Sequence, residues 1–145
     1  MVGEESALAR MWRTAVSRTL LTMNKPPDTL RLLIVDDNAA TREATIALLE
    51  TSLHPLQIWQ AADGLEAVLL AEFVQPDVVL MDVQMPRLDG IAAARRIKQR
   101  RPETRVIVQT MYGRYQAAAL AAGADQFLLK GRRPDQLLAA VFKDG

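Results

Sequence analysis

Between Leu30 and Phe142 the sequence alternates short apolar runs with alanine-, leucine- and arginine-rich stretches of helical length. Strands that alternate with helices form crossover units, and a series of crossover units builds a parallel sheet. Strands are predicted at residues 30–35, 56–61, 77–82, 105–110 and 126–130. Helices are predicted at residues 40–51, 64–73, 90–100, 114–122 and 134–142.

The apolar runs are continuous rather than alternating, which is typical of strands covered by helices on both faces of a sheet. The run LQIWQA at residues 56–61 is the least apolar and is assigned to an edge. Asp63 and Asp89 are placed to cap helices, and Gly123 lies where a helix should end. Right-handed crossovers then predict an α/β fold, with a doubly wound five-stranded parallel sheet and five helices.

Composition limits the classes of function. The 145 residues suffice for one domain with its own core, and a net charge of +1 gives no general attraction to nucleic acid or an anionic membrane. The chain contains no cysteine, which excludes disulfides, thiolate metal sites and cysteine nucleophiles. Its longest apolar runs fall far below the ~18 residues of a membrane span. We therefore expect a soluble cytoplasmic protein with no membrane span.

Residues 1–29 have a different character from the domain at residues 30–145. Apolar side chains recur there at helical spacing, with arginines between them, and Pro26-Pro27 then breaks the pattern. The apolar positions are Leu8, Met11, Trp12, Ala15, Val16, Leu20 and Met23. This N-terminal arm is either a frayed or disordered segment, or a helix that docks on the domain, pairs with a partner chain or touches a membrane.

Four of the five predicted strands end in polar side chains of complementary chemistry. Asp36 and Asp37 follow the first strand, whereas Asp82, Thr110 and Lys130 end the third, fourth and fifth strands. Each alone has an ordinary explanation, since an aspartate after a strand usually caps a helix and a lysine there is usually solvated. However, the carboxyl ends of parallel strands share one edge, where ligands bind. We therefore expect these five side chains to converge.

The adjacent acids Asp36 and Asp37 would repel each other by about 4 kcal/mol if their carboxylates lay ~4 Å apart at an effective dielectric constant near 20. Either one carboxylate binds a proton or a cation sits between them. Mg²⁺ suits such oxygen ligands and leaves coordination positions for a phosphate oxygen. The site then reads as a phosphoryl site, with Lys130 as a second cation, the Thr110 hydroxyl as a donor and Asp82 as the nucleophile.

The motifs LLIVDDN, VVLMDVQMPRLDG, VIVQTMY and FLLKG together resemble the receiver domain of two-component response regulators. The residues around these motifs are most similar to receiver domains of the NarL/FixJ subfamily. The resemblance does not extend to the DNA-binding domain of that subfamily. This resemblance implies a flavodoxin-like sheet with strand order 2-1-3-4-5. It also implies a phosphoprotein of a phosphorelay, acting in signal transduction rather than as an enzyme and catalysing only its own phosphorylation and dephosphorylation.

Carried over to this sequence, the resemblance makes Asp82 the phosphoacceptor and Asp37 a direct Mg²⁺ ligand. Asp36 would hold the metal through water, and the backbone carbonyl of Gln84 would be the remaining protein ligand. Thr110 and Lys130 would engage the phosphoryl group, and Phe127 would be an aromatic switch residue that responds through ring packing. The implied donor is a sensor histidine kinase or a histidine phosphotransfer protein, and the recipient of the signal is an unknown downstream protein, with a homodimer possible.

Alternatives remain at the level of sequence. The chain is expected to be a receiver-only protein, but it could be the receiver fragment of a DNA-binding transcriptional regulator, or an interaction module that signals by binding without phosphorylation. The arginine-rich run at residues 94–101 is interpreted as a solvated helix face, so no direct contact with nucleic acid is expected. A flavodoxin-like cofactor carrier is disfavoured because the acidic loop DDNAAT would repel a phosphate. A phosphatase of the haloacid-dehalogenase type is disfavoured because it needs a second acid two residues after the first, and this chain has Asn38 at that position.

Overall fold

A computed structural model describes residues 6–8, 10, 28–131 and 133–143 of the chain. The parallel strands within residues 28–131 form one sheet with the order β2-β1-β3-β4-β5. The strands are β1 (Leu30–Val35), β2 (Leu56–Ala61), β3 (Val78–Asp82), β4 (Arg105–Thr110) and β5 (Gln126–Leu129). The helices that follow them are α1 (Ala39–Leu49), α2 (Gly64–Val74), α3 (Gly90–Arg100), α4 (Gln116–Ala121) and α5 (Pro134–Val141).

The sheet is covered on both faces, as its continuously apolar strands predict. Successive β1 residues point to opposite faces, so Leu33 and Val35 join one apolar cluster while Leu32 and Ile34 join the other. The first cluster packs α2, α3 and α4 against the sheet, and the second packs α1 and α5. The predicted doubly wound fold with order 2-1-3-4-5 is confirmed, and β2 lies at the predicted edge.

Local capping explains where the helices begin. The side chains of Asn38, Asp63 and Asp89 each accept hydrogen bonds from backbone N–H groups in the first turn of the following helix. Asp63 and Asp89 are the caps that the sequence predicts. These caps place each helix start beside the carboxyl end of the preceding strand.

The fourth helix differs from its prediction. Residues 114–122 are predicted to form one helix, but a 3₁₀ turn occupies Gly113–Tyr115 and the α-helix proper is only Gln116–Ala121. The side chain of Tyr112 does not cap this helix, and the first turn has 3₁₀ rather than α-helical hydrogen bonding. The result is a short helix directly after the strand that ends in Thr110.

Within the N-terminal arm, residues 1–29, the described residues are 6–8, 10, 28 and 29. The N–H of Arg10 donates to the carbonyl of Ser6 over 3.1 Å, which closes one helical turn. The rest of the predicted amphipathic pattern, residues 11–27, lies outside the described residues. None of the helices in the described part of the chain is long and apolar enough to cross a membrane.

Candidate functional site

The five predicted side chains do share the carboxyl edge of the sheet. Asp36 and Asp37 follow β1, which lies beside β3 with Asp82 at its end. Asp82 pairs in register with Gln109 of β4, so Thr110 stands one position further along the neighbouring strand. The N–H of Lys130 donates to the carbonyl of Thr110 over 2.8 Å, which ties the end of β5 to the end of β4.

The two adjacent acids occupy different environments. Asp36 is only 5% exposed, whereas Asp37 is exposed to solvent. One Asp36 oxygen accepts a hydrogen bond from the N–H of Asn38 over 2.9 Å, and the other accepts from Lys130 over 2.8 Å. The like charges of Asp36 and Asp37 are therefore tolerated, because the Asp37 carboxylate is solvated and the Asp36 carboxylate is bonded to a cation and a backbone amide.

Lys130 lies between two of the carboxylates. Its ammonium nitrogen is 2.8 Å from Asp36 Oδ2 and 3.3 Å from Asp82 Oδ2. Burial alone would lower the pKa of Lys130, but the hydrogen bond from Lys130 to Asp36 and the charges of Asp82 and Asp36 outweigh it, so the pKa is raised. The ammonium group therefore stays charged at neutral pH.

Asp82 is held in place and partly desolvated. Its Oδ1 accepts a hydrogen bond from the N–H of Val83 over 2.8 Å, and its side chain is 13% exposed. Burial raises the pKa of Asp82, the charge of Lys130 opposes that rise, and the charge of Asp36 adds to it. The carboxylate is thus oriented by its own backbone, accessible from outside and more basic than an ordinary aspartate.

Thr110 is almost fully buried, at 2% exposed. Its hydroxyl oxygen accepts a long, 3.4 Å hydrogen bond from the N–H of Tyr112. Its position at the end of an interior strand therefore keeps the hydroxyl out of solvent, at the same edge of the sheet as Asp82 and Lys130.

The residues around Asp82 are chemically suited to a hard divalent cation. Asp36, Asp37 and Asp82 each present a carboxylate oxygen, and these three oxygens lie within 4.8 Å of one another. Oxygen donors of this kind, one of them exposed, match the preference of Mg²⁺ for a few carboxylates and several waters. The donor set therefore fits the predicted metal.

The side chains of Gln84 and Phe127 contact residues other than the three carboxylates. Gln84 is exposed in the loop after β3, and its side-chain amide donates to the hydroxyl of Tyr115 over 3.2 Å. Phe127 lies on β5 opposite Val108 and packs, partly buried, against the cluster on the α2–α4 face of the sheet. Their predicted roles as a carbonyl ligand and a switch residue stay predictions.

Sequence reasoning missed Arg42. Its guanidinium donates to the backbone carbonyl of Asp36 and, over 2.9 Å, to the side chain of Gln60. The positive charge of an arginine in the first turn of a helix is repelled by the positive end of the helix dipole. An arginine at this unfavourable position was the sequence feature that could have indicated a partner elsewhere in the fold. Arg42 fixes the backbone that carries the two adjacent acids.

A second missed contact braces the loop that follows Asp82. Arg87 has a left-handed backbone, with φ of 67°, and its guanidinium forms two hydrogen bonds of 2.9 and 2.6 Å with Asp63 Oδ2. Asp63 uses its other oxygen to cap α2. The loop is thus attached to the start of α2, and no local sequence pattern predicts such a pairing 24 residues apart.

Comparisons with known proteins agree with this geometry. The sequence profile of the response regulator receiver domain matches residues 32–142. The chain is 36% identical over 121 residues to the uncharacterized transcriptional regulatory protein YxjL of Bacillus subtilis (strain 168), covering 82% of this chain and 55% of YxjL. It spans about half the length of such relatives.

Solved structures give the same answer. A two-component response regulator of the LuxR family from Aurantimonas sp. SI85-9A1 superposes with a TM-score of 0.72 at 33% identity, covering 78% of this chain and 82% of that one. The response regulator domain of Thermotoga maritima CheB gives a TM-score of 0.70 at 31% identity, covering 78% and 93% of the two chains. The sheet order, the acidic edge and these matches together show that the chain belongs to the response regulator receiver domain family.

Proposed function

We propose that this chain accepts a phosphoryl group on Asp82 from a sensor histidine kinase or a histidine phosphotransfer protein and then presents a changed surface to a downstream protein. The observation that carries the proposal is the grouping of Asp36, Asp37 and Asp82 within 4.8 Å, with the ammonium of Lys130 3.3 Å from Asp82. A structural ion pair would not need three acids around one base.

Charge balance supports a role for Mg²⁺. Three carboxylates and one ammonium leave this edge of the sheet with an excess of negative charge, which would repel an incoming phosphoryl group. Asp37 and Asp82, the backbone carbonyl of Gln84 and, through water, Asp36 would hold the ion. When bound, Mg²⁺ supplies positive charge to the carboxylates and the phosphoryl oxygens.

Asp82 has the properties that the nucleophile requires. The N–H of Val83 orients its carboxylate, and its partial exposure leaves room for a donor to approach. In the proposed step a bond forms between a carboxylate oxygen of Asp82 and phosphorus, while the phosphorus–nitrogen bond of a phosphohistidine breaks. The electron pair of that bond stays on the imidazole nitrogen of the donor.

Lys130 and Thr110 would stabilise the product. The ammonium of Lys130 already lies beside Asp82, so it is placed to donate to a phosphoryl oxygen, and the buried hydroxyl of Thr110 stands on the next strand. Such charge-assisted bonds exist only in the phosphorylated state, so they bias the conformational equilibrium toward it. The chain would in this way catalyse its own phosphorylation and dephosphorylation.

The proposed output surface lies beside these switch residues. The guanidinium of Arg114 stacks on the rings of Tyr112 and Tyr115, at 4.4 and 4.9 Å from the ring centroids. Tyr115 also accepts the hydrogen bond from Gln84, in the loop after Asp82. Movement of Thr110 and of the Phe127 ring would alter this group of side chains, which is accessible to a downstream protein or a second copy of the chain.

The test is to incubate the protein with acetyl phosphate and Mg²⁺ and to measure its intact mass. We expect one added phosphoryl group in the wild type and in Asp28→Asn, a control change in an exposed acid at the opposite edge of the sheet. We expect no adduct in Asp82→Asn and none when a chelator removes Mg²⁺. A wild type that stays unmodified, or an Asp82→Asn variant that is modified as fully as wild type, would overturn the proposal.

A further inference from the structure

Helix α2 is apolar on almost every side. Its sequence, GLEAVLLAEFV, carries only two charged residues, and helices of this kind are normally covered all round. Nevertheless Leu65 and Phe73 are 36% and 48% exposed. Part of this helix therefore lacks a cover among the described residues.

The two sides of α2 have different neighbours. On one side α3 approaches, since Glu72 pairs with Arg100 and the N–H of Gly64 donates to the carbonyl of Leu88 in the loop before α3. Glu66, Leu69 and Phe73 are spaced i, i+3 and i+7, so they line the side that faces away from α3. We call these three residues the outer stripe of α2.

The N-terminal arm begins at one end of this stripe. The guanidinium of Arg10, in the helical turn that starts at Ser6, forms an ion pair with the carboxylate of Glu66. Glu66 is only 2% exposed, and a buried carboxylate is costly unless a cation accompanies it. This contact anchors the arm at the start of α2.

The arm ends at the other end of the same helix. The carbonyl of Arg31, at the beginning of β1, accepts a hydrogen bond from the N–H of Asp77, three residues after α2 ends at Val74. Residues 11–27 must therefore connect the start of α2 to the region where α2 ends. The helix is about 16 Å long, and a helix of residues 11–23 would be about 20 Å long.

We propose that residues 11–23 dock as an amphipathic helix of the same chain along the outer stripe of α2. The described residues on either side of residues 11–27 lie beside the two ends of this helix, and the lengths agree. The apolar positions of the arm, such as Met11, Ala15 and Met23, recur at helical spacing. Arg10 supplies the matching charge for Glu66. The proposal is separate from the proposed phosphorylation and does not require it.

The test uses the absence of cysteine from the sequence, which lets one engineered cysteine carry a nitroxide label on the full chain. A label at Glu72→Cys, an exposed position on α2 next to Phe73 in sequence, should broaden the amide NMR signals of residues 11–23. A label at Gln136→Cys, exposed on α5 across the sheet, should not. Phe73→Asp should abolish the broadening from Glu72→Cys, whereas Leu53→Asp, at a fully exposed leucine elsewhere, should leave it.

A mixture separates the chain's own arm from that of a second copy. Nitrogen-15-labelled chain without nitroxide is mixed with unlabelled chain that carries it, and we expect no broadening of residues 11–23 in the labelled chain. Broadening in this mixture would assign the stripe to another copy and overturn the proposal. Equal broadening from Glu72→Cys and Gln136→Cys, or broadening that survives Phe73→Asp, would also overturn it.

Discussion

Lys98 and Lys130 both pair with aspartates, but at opposite edges of the sheet. At the amino edge, the ammonium of Lys98 donates to the carbonyls of Pro102 and Thr104 and to Asp125, over 2.8–2.9 Å. At the carboxyl edge, Lys130 faces two acids with a third close by. The first lysine has partners for all three of its protons and one balancing charge, whereas the second is surrounded by excess negative charge.

The difference distinguishes a structural ion pair from the proposed phosphoryl site. Asp125 also accepts a hydrogen bond from the N–H of Val106 near the start of β4, so the pair of Lys98 and Asp125 is cross-linked to the sheet. The carboxyl edge is stable only as a compromise, because its acids lack sufficient counter-charge. Under the proposed function, a cation, or a phosphoryl group with its cation, would balance this charge.

The largest expected contrast comes from replacing each lysine by methionine. Lys130→Met should slow phosphorylation by acetyl phosphate about 100-fold, the loss typical of a removed electrostatic donor. Lys98→Met should leave that rate unchanged but lower the free energy of unfolding by about 2 kcal/mol, through lost charge-assisted hydrogen bonds. Intact-mass time courses and urea titrations measure the two quantities. Equal losses of rate in both variants would erase the distinction between the edges.

The two ends of β4 offer a second contrast, because each carries a threonine that is 2% exposed. Thr110→Ala should weaken the bias toward the phosphorylated conformation by about 1.5–3 kcal/mol, which the ratio of two ring environments of Phe127 would report in NMR spectra. Thr104→Ala removes a hydroxyl that donates to the carbonyl of Pro76 over 3.2 Å. It should cost about 1 kcal/mol of stability and leave that ratio as it was.

The smallest expected effect concerns pH in metal-free protein. Burial raises the pKa of Asp82, against the opposing charge of Lys130 and with the charge of Asp36 adding to the rise. The folded state therefore binds a proton at Asp82 more tightly than the unfolded state does. At a pH above the folded pKa, the ionised carboxylate lowers the free energy of unfolding. Below the ordinary pKa of 3.8, Asp82 is protonated in both states and this destabilisation is absent.

Asp82→Asn should accordingly raise the free energy of unfolding at neutral pH, because its side chain carries no charge to desolvate. Its advantage over the wild type should shrink as the pH falls toward 3.8. Urea unfolding with a chelator present, repeated from neutral to acid pH, measures both. A less stable Asp82→Asn at neutral pH would mean that attraction to Lys130 outweighs burial.

Much of the fold could be read from the sequence because continuous apolar runs and helical stretches leave few ways to close a sheet. The predicted strands agree with the observed ones within one residue at each end, and Asp63 and Asp89 cap the helices that they were expected to cap. The 3₁₀ turn at Gly113–Tyr115 could not be predicted, since Arg114 and Tyr115 are ordinary helix residues and only the missing cap distinguishes the start.

The convergence of Asp36, Asp82 and Lys130 was predictable, but the pairing among their side chains was not. Chain order on parallel strands decides that Asp36, Asp82 and Lys130 meet at one edge. Which carboxylate Lys130 bonds depends on side-chain distances of a few tenths of an ångström, 2.8 Å to Asp36 against 3.3 Å to Asp82. Arg42 reaches the Asp36 carbonyl from a helix whose pattern contains no sign of that partner beyond the position of its charge.

Gly90 lies directly against the strand that carries the proposed phosphoacceptor. A Cβ atom on Gly90 would stand only 1.7 Å from the carbonyl oxygen of Asp82, and the N–H of Gly90 donates to the carbonyl of Val83 over 2.8 Å. This contact is rigid, because close-packed backbone atoms resist compression and no flexible side chain lies between the two backbones. A displacement of the Asp82 backbone toward α3 would therefore push directly on Gly90, the first residue of that helix.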